Sequence, residues 1–509
     1  MHEHRILINI TSAAAFFAIL LAGLTFGFIS PTQDPPTEQG VLRSQGGNIG
    51  INTSLSGSSL TVLGGASIGS YATTTFAPPG TMYVEGKAGI GEGASVIKGS
   101  LNLNGTIAIG RTIQFGSWDA RFPINEGESL LNVTGGRYIS MTIGSDGFPV
   151  MAYYASEEAG IGAFRIVKCN DVRCTTYTDS LVEASGALTS ADNSLVIGSD
   201  NRPVFAYNFV DPITLNTQLK VAKCSDIACM TSIKSIVDPE GYSPSIRISP
   251  ETGNPVLAYY RAGSPNKLVF RKCNDAGCSD LGLTSTIQEG FDIPPGGVIF
   301  GTVSMGIGYD GLPVMSYYAS TTGSQRLRLA KCNTNYDCLS FLTKDMGSSE
   351  KGSGYHNSLT IGLDGLPVIS TGVRVGGLSE LRVLKCLDIS CTASTSNVVD
   401  SFTMSPTWNS GEWNAITLGI NGFPVISYIA SSTAGSLNPM LASRIAVCSS
   451  SDCSSGKNTL YELEQSNAIN FGTTVAIGSH GIPIVAYRID GGFKLVTCGS
   501  DRCLPYWTR

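Results

Sequence analysis

Charge is the first thing in short supply. Charged residues make up 14% of the 509-residue chain, against roughly 25% in an ordinary soluble domain. With 39 acidic and 33 basic residues the net charge is −6, so the basic footprint that nucleic acid requires is missing and no nucleic-acid partner is expected. Histidine is scarce too: there are four, and His2 and His4 stand at the very start. That leaves too few imidazoles for histidine-based metal centres. Tryptophan occurs only four times. Helical periodicity is absent from residue 135 onward, which excludes an all-α or α/β body.

What fills the space is 60 glycines, with Ser, Thr and Asn taking much of the polar share. This composition suits turn-rich β structure.

One long apolar run stands at the N-terminus. Ile6 to Ile29 is a 24-residue uncharged stretch containing "AAAFFAILLAGLTFGF". As a helix it would be about 36 Å long, enough for a hydrocarbon core of roughly 30 Å. Arg5 precedes it, and no Lys or Arg follows before Arg43. The positive-inside rule then sets the tip inside the cell and everything else outside. Residues 1–30 are read as cytoplasmic tip and transmembrane anchor, so the membrane is one expected partner. A cleaved signal peptide is the rival, which would make the protein secreted.

The 14 cysteines form seven close pairs: Cys169 with Cys174, Cys224 with Cys229, Cys273 with Cys278, Cys332 with Cys338, Cys386 with Cys391, Cys448 with Cys453, and Cys498 with Cys503. Zinc would want four ligands per site and tighter spacing. A disulfide across each tight loop fits an oxidising compartment, each stabilising by about 2 kcal/mol in the loop-entropy account. No metal and no cofactor is expected.

The pairs belong to a repeat. Pro149, Pro203, Pro255, Pro313, Pro367, Pro424 and Pro483 follow one another at 54, 52, 58, 54, 57 and 59 residues. Such a period signals a repeat architecture. Each copy opens on a short alternating run ("SMTIG", "SLVIG", "SIRIS", "SMGIG", "SLTIG", "AITLG", "TVAIG") with the period of a strand. An Asp-Gly turn or a relative follows, the strongest short hairpin signal. A second strand begins at the proline ("PVMAYY"), where a missing N–H is tolerated. A third runs into the first cysteine ("FRIVKC"), and a fourth leaves the second ("TTYTDSLVE"). The fold class expected is therefore all-β: a seven-bladed β-propeller of four-stranded antiparallel blades over 135–509, preceded by one transmembrane helix and a short-strand β stalk. Only six residues follow Cys503, so the last outer strand would be short. The connector 116–134 is a candidate for closing the ring.

The repeat "IG-x-DG-x-PV-x-SY … KC-x-D-x-x-C" resembles arrays in bacterial surface proteins. More distantly it resembles the Asp-box repeats of sialidase-type propellers, whose S-x-D-x-G-x-T-W pattern differs from the adjacent Asp and Gly here. The resemblance implies the propeller fold over 135–509. Sialidase chemistry would further demand three arginines, a Tyr–Glu nucleophile pair and an acid. The "RFPI" of Arg121–Ile124 has the wrong order for that family and precedes the repeats.

Residues 31–58 read as a Pro/Gly/Ser linker. Within 59–115, "LTVLGGASIG", "MYVEGKAGIG" and "LNLNGTIAIG" read as short strands with tight turns, or as a flexible spacer. They resemble stalk segments of phage tail fibres, which implies a possible homotrimer through the stalk.

Functional candidates are judged by whether they break the repeat. Basic residues four positions before the first cysteine (Arg165, Lys220, Arg328, Arg382, Arg444, Lys494) follow it and read as structural. So do Tyr153, Tyr207, Tyr259, Tyr317, Tyr428 and Tyr487, with Thr371 in the fifth copy, as packing between blades. Asp171, Asp226, Asp275 and Asp388 in the cysteine loops read as Asx turns rather than calcium ligands. No catalytic constellation is complete. The variable connections fall at one end of the blades, where recognition is usually placed. Copy six departs most, with Trp408, Glu412 and Trp413 in "SFTMSPTWNSGEWNAI"; the competing reading is that both indoles pin a long loop. Tyr355 and His356 in "GYHNS" are the next candidates. The function expected is a surface-anchored adhesion or binding module recognising a glycan or a surface protein, with a sialidase-like hydrolase or lyase as the alternative.

Non-reducing peptide mapping is expected to find at least six of the seven cysteine pairs linked within their own loops. Free thiols throughout would contradict the exported placement.

Overall fold

The computed structural model describes residues 42–45, 48–51, 66–68, 82–84, 127–131 and 133, and then 137–503 with gaps. Outside the description within the last span lie 157–161, 186–191, 212, 215, 291–302, 322–323, 334–336, 347–355, 376–377, 404–411, 433–439, 455, 467–471 and 490–491. The hydrophobic run 6–29 lies outside as well. Among the described residues no helix is long and apolar enough to cross a membrane.

The chain divides into Met1–Asn104 and Gly105–Arg509. In the first unit, Leu42–Gln45 pairs antiparallel with Asn48–Ile51, within the stretch read as a linker. Ala66–Ile68 pairs parallel with Met82–Val84, one short strand from each of two stalk segments. The third stalk segment, 101–110, lies outside the described residues.

The second unit is the propeller: seven sheets of four strands, each in meander order. Blade one runs Arg137–Ile143, Pro149–Ser156, Gly162–Cys169 and Tyr177–Ser185. The inner strands of blades two to seven are Asn193–Ile197, Gly241–Ile248, Val303–Ile307, Asn357–Ile361, Glu412–Leu418 and Thr473–Ile477. Blade seven borrows its fourth strand. Gly127–Leu131 pairs antiparallel with Gly492–Thr497, so a strand from before the first repeat completes the last sheet.

The apolar core lies between blades rather than within them. Val204, Ala206 and Val221 of blade two pack against Leu257, Tyr259 and Val269 of blade three in one buried cluster. Each such large side chain stabilises by roughly 1.5–3 kcal/mol when taken from water.

Polar ties join the same neighbours. At the inner edge the hydroxyls of Ser194, Ser245, Ser304 and Ser358 accept the amide N–H of Ile246, Met305, Leu359 and Ile416 in the next blade, at 2.9–3.2 Å. The recurrent serine of the opening run is therefore a strut. Further out, each repeated tyrosine is fully buried and most donate to the preceding blade's outer strand. Tyr207 reaches Glu183 at 2.6 Å, Tyr259 reaches Asp238 at 2.9 Å, and Tyr487 reaches Glu464 at 2.9 Å. Burial pushes the hydroxyls of Tyr207, Tyr259 and Tyr317 up, that of Tyr317 to about 12, so they stay protonated donors. The repeated basic residues meet the same acids: Lys220 with Glu183 at 2.9 Å and Lys494 with Glu464 at 3.1 Å. The repeating Tyr and Arg/Lys positions are thus consumed by blade contacts.

The turns explain two more repeated residues. The buried Lys before the first cysteine pairs with the Asp of its own Asp-Gly or Asp-Asn turn: Lys168–Asp146 at 2.7 Å, Lys223–Asp200 at 2.5 Å, Lys331–Asp310 at 2.6 Å and Lys385–Asp364 at 2.5 Å. Copies six and seven have Asn421 and His480 at the turn, and there the lysine is Val447 and Thr497. A buried ammonium without its carboxylate would be costly, so the two positions change together in these copies, whereas Lys272 of copy three pairs with Asp337 of the next blade at 2.8 Å. The turn glycines are required twice over. Gly365, for example, has φ +77°, and a Cβ there would lie 2.5 Å from Tyr309 of the preceding blade.

All seven cysteine pairs expected from the spacing are disulfides. Cys169 bonds Cys174, Cys224 bonds Cys229, Cys273 bonds Cys278, and Cys332 bonds Cys338. Cys386 bonds Cys391, Cys448 bonds Cys453, and Cys498 bonds Cys503. Seven such bonds mark an extracellular or secreted protein. The spacing did not announce the backbone at the second cysteine. Cys174, Cys229, Cys278, Cys338, Cys391, Cys453 and Cys503 all lie at φ between 47° and 59°, a left-handed conformation uncommon outside glycine. It reverses the chain within the loop, where the N–H of Cys174 donates to the Asp171 carbonyl at 3.1 Å and that of Cys391 to the Asp388 carbonyl at 3.0 Å. Asp388 also closes its loop as an Asx turn. Its side-chain oxygens accept the Thr392 hydroxyl and the N–H groups of Thr392, Ala393 and Ser390, which hold its pKa down to about 2.

A chain starting at Gly105 keeps the borrowed strand, whereas one starting at residue 135 lacks it. The shorter chain is expected to melt several degrees lower and to expose a free sheet edge that promotes aggregation. Equal melting in calorimetry would show that Gly127–Leu131 is not the seam.

Candidate functional site

Lys168–Asp146 and its equivalents tie the first turn to the cysteine loop, so both lie at one end of each blade. Inner strands therefore begin at the opposite end, where the chain enters from the previous blade. Their first residues ring the mouth of the axial channel. The channel encloses about 440 Å³, within the range of small-ligand sites.

Counting two residues back from the recurrent serine, or its Ala415 and Thr474 counterparts, gives the mouth position. It holds Tyr138, Asp192, Ser243, His356, Trp413 and Gly472 in blades one, two, three, five, six and seven. No two are alike. A structural ring would repeat its residue, as the serines and tyrosines do.

Three of these residues are held in a left-handed backbone: Tyr138 at φ 53°, Ser243 at 47° and Trp413 at 51°. Each sits in a β-bulge of its inner strand, between Arg137 and Ser140, Tyr242 and Ser245, and Glu412 and Ala415. A bulge re-aims a side chain, and a non-glycine residue here costs on the order of 1–2 kcal/mol. Such strain persists where surrounding contacts hold it. Neighbouring blades supply them: Asn193 Nδ2 donates to the Tyr138 carbonyl, and the Ser243 N–H donates to Asn208 Oδ1 at 3.1 Å.

The result is an aromatic cluster drawn from three blades. Trp413 stacks on His356 with centroids 4.3 Å apart and planes at 28°. It meets Tyr138 edge-on at 5.7 Å and 64°. Blade seven lies between Trp413 and Tyr138 in the ring, and its mouth residue is Gly472, which puts no side chain in the way. Trp413 is half-buried, with its remaining surface on the channel. Burial pushes the His356 imidazole down to about 3, so it is neutral at physiological pH. Asp192 shares the mouth and accepts a hydrogen bond from the Ser243 hydroxyl.

Of the residues singled out from the sequence, the structure brings Trp413 and His356 into contact. Glu412 lies on the same inner strand, with its side chain outside the description. Trp408 and Tyr355 lie outside the described residues. Sequence reasoning missed Tyr138, Asp192 and Arg247, which also line the channel. A signal for them existed: each occupies an inner-strand register that differs between copies. No described group of three or more His, Cys, Asp or Glu could hold a metal ion.

No family model and no curated protein matches the chain. Among solved structures it is similar to a polysaccharide lyase of a new family, an ulvan lyase, at 11% identity and TM-score 0.49, covering 74% of this chain and 94% of that one. It is similar to an α-L-arabinanase of Penicillium chrysogenum in complex with arabinobiose at 14% identity and TM-score 0.41, covering 60% and 91%. It is also similar to the NanB sialidase of Streptococcus pneumoniae at 9% identity and TM-score 0.39, covering 74% and 70%. The class the strand pairing defines is a seven-bladed β-propeller, and these neighbours are glycan-active proteins.

Neutral, buried His356 sets a pH dependence. Its folded pKa lies below the unfolded value near 6.5, so the unfolded chain binds the extra proton between about pH 6.5 and 3, and stability is lost as pH is lowered through that window. Thermal melts from pH 7 to 4 are expected to show this loss, and a His356→Phe variant, which keeps the stacking on Trp413, a smaller one. Identical pH profiles would show that the imidazole is not buried in neutral form.

Proposed function

We propose that this chain is an exported binding module whose propeller takes the end of a saccharide at the mouth of its axial channel. The observation that carries the reading is the Tyr138–Trp413–His356 cluster, with Tyr138 and Trp413 held on strained, bulged backbone, at a position where the blades do not repeat. Aromatic faces beside amide and hydroxyl groups suit the alternating apolar and polar faces of sugar rings. A recessed mouth of about 440 Å³ fits one or two such rings better than the broad, flat patch of a protein partner. Glu412, Trp408 and Tyr355 are assigned to the same mouth because they adjoin Trp413 and His356 in the chain. The apolar run 6–29 would anchor the module to the membrane and residues 59–115 would project it outward, as a trimer if the stalk self-associates. Display at a cell surface makes adhesion the natural use.

A second reading is glycan cleavage, favoured by one observation: Asp192 faces the same mouth. A hydrolase would need a second carboxyl group opposite it.

Glycan-array binding by the full chain is expected, with Trp413→Ala weakening it about tenfold or more while the melting temperature changes little. A large fall in melting temperature with unchanged binding would return Trp413 to a packing role. Release of reducing ends or unsaturated sugars, abolished by Asp192→Asn, would favour the enzyme.

A further inference from the structure

Two positions beyond the recurrent serine, the inner strands carry Thr142, Val196, Gly306, Thr360, Thr417 and Ala476, and in blade three Arg247. Six blades place a small or neutral residue there and one places a guanidinium. Among the described residues lining the channel, Arg247 is the only Arg or Lys. It is half-buried in the channel wall. Its hydrogen bond is to the adjacent Ile246 carbonyl at 2.7 Å, and no described carboxylate pairs with it. Burial lowers its pKa to about 10, which leaves it a cation at neutral pH.

An enclosed cation without a counter-charge is costly, and nothing in the blade contacts needs it. Ser194, Ser245, Ser304 and Ser358 already accept an amide from the next blade, so each hydroxyl proton is left to donate to something else. The channel thus carries a ring of hydroxyls able to donate, with one guanidinium beyond it. The acid of the pocket, Asp192, sits out at the mouth.

We infer that the channel binds a carboxylate group, held by the Arg247 guanidinium and the serine hydroxyls of neighbouring blades. The planar fork matches a planar carboxylate bidentately. A single positive charge neutralises a monoanion, whereas a phosphate dianion would leave excess negative charge enclosed. The mouth lies four residues up the strand, roughly 13 Å at 3.3 Å per residue. A sugar acid entering acid-end first could therefore touch Arg247 and Trp413 together, and this part rests on the saccharide reading above. A small free organic acid would use the Arg247 end alone.

The test is calorimetric titration and thermal melting of the full chain with sodium glucuronate, sodium acetate, glucose and phosphate, at matched ionic strength. Glucuronate or acetate is expected to bind saturably and raise the melting temperature. Arg247→Met should bind the carboxylate roughly tenfold to hundredfold more weakly, with Arg247→Lys between the two. Without ligand, Arg247→Met is expected to melt no lower than wild type, because it removes an unpaired buried charge; this separates lost binding from lost folding. Equal carboxylate binding by wild type and Arg247→Met overturns the inference, as does phosphate binding as tightly as carboxylate, or no carboxylate effect beyond that of chloride. Glucuronate binding tighter than acetate, with the advantage lost in Trp413→Ala, identifies a sugar acid; equal binding of the two identifies a free acid and leaves the carboxylate site standing without the saccharide mouth.

Discussion

Everything in the propeller depends on the backbone pairing of Gly127–Leu131 with Gly492–Thr497. Seven sheets in a row would leave an open side on the first and an unfinished sheet on the last. The borrowed strand removes both defects, because it makes the last blade whole and binds the start of the repeats to their end. Buried tyrosines and serine struts then couple each blade to its neighbour, so no blade holds its core alone. Closure also creates the axial channel, which exists only once the ring is complete.

Much of this was legible in the sequence because repetition exposes constraint. The spacing of the prolines, the Asp-Gly turns and the cysteine loops defined seven four-stranded units. The repeated tyrosines and basic residues read as structural, and the contacts of Tyr207, Lys220 and Glu183 give the reason. The seam was harder to read. Gly127–Leu131 ("GESLL") resembles no repeat strand, since it supplies only an outer edge.

The site was legible in part. Trp413 and His356 stood out because they depart from their copies, but their stacking is a contact between blades five and six that no local pattern announces. Tyr138 precedes the quoted repeat run, and its nearness to Trp413 follows from the ring bringing blade one beside blade seven. Arg247 was visible within "SIRIS". It passed unnoticed because a charge in an alternating strand usually faces solvent, and only a closed channel turns that face inward. Repetition thus reveals the scaffold, whereas the site must be sought where one copy disagrees with six.

The seam also fixes an order of events in the life of the chain. Gly127–Leu131 is synthesised some 360 residues before its partner strand. During export it must wait, unpaired, while blades one to six emerge. Pairing between such distant segments is slow because a large loop must close first. The wheel can shut only when its final hairpin arrives, so the interval before that is when the nascent protein most needs protection from neighbouring chains.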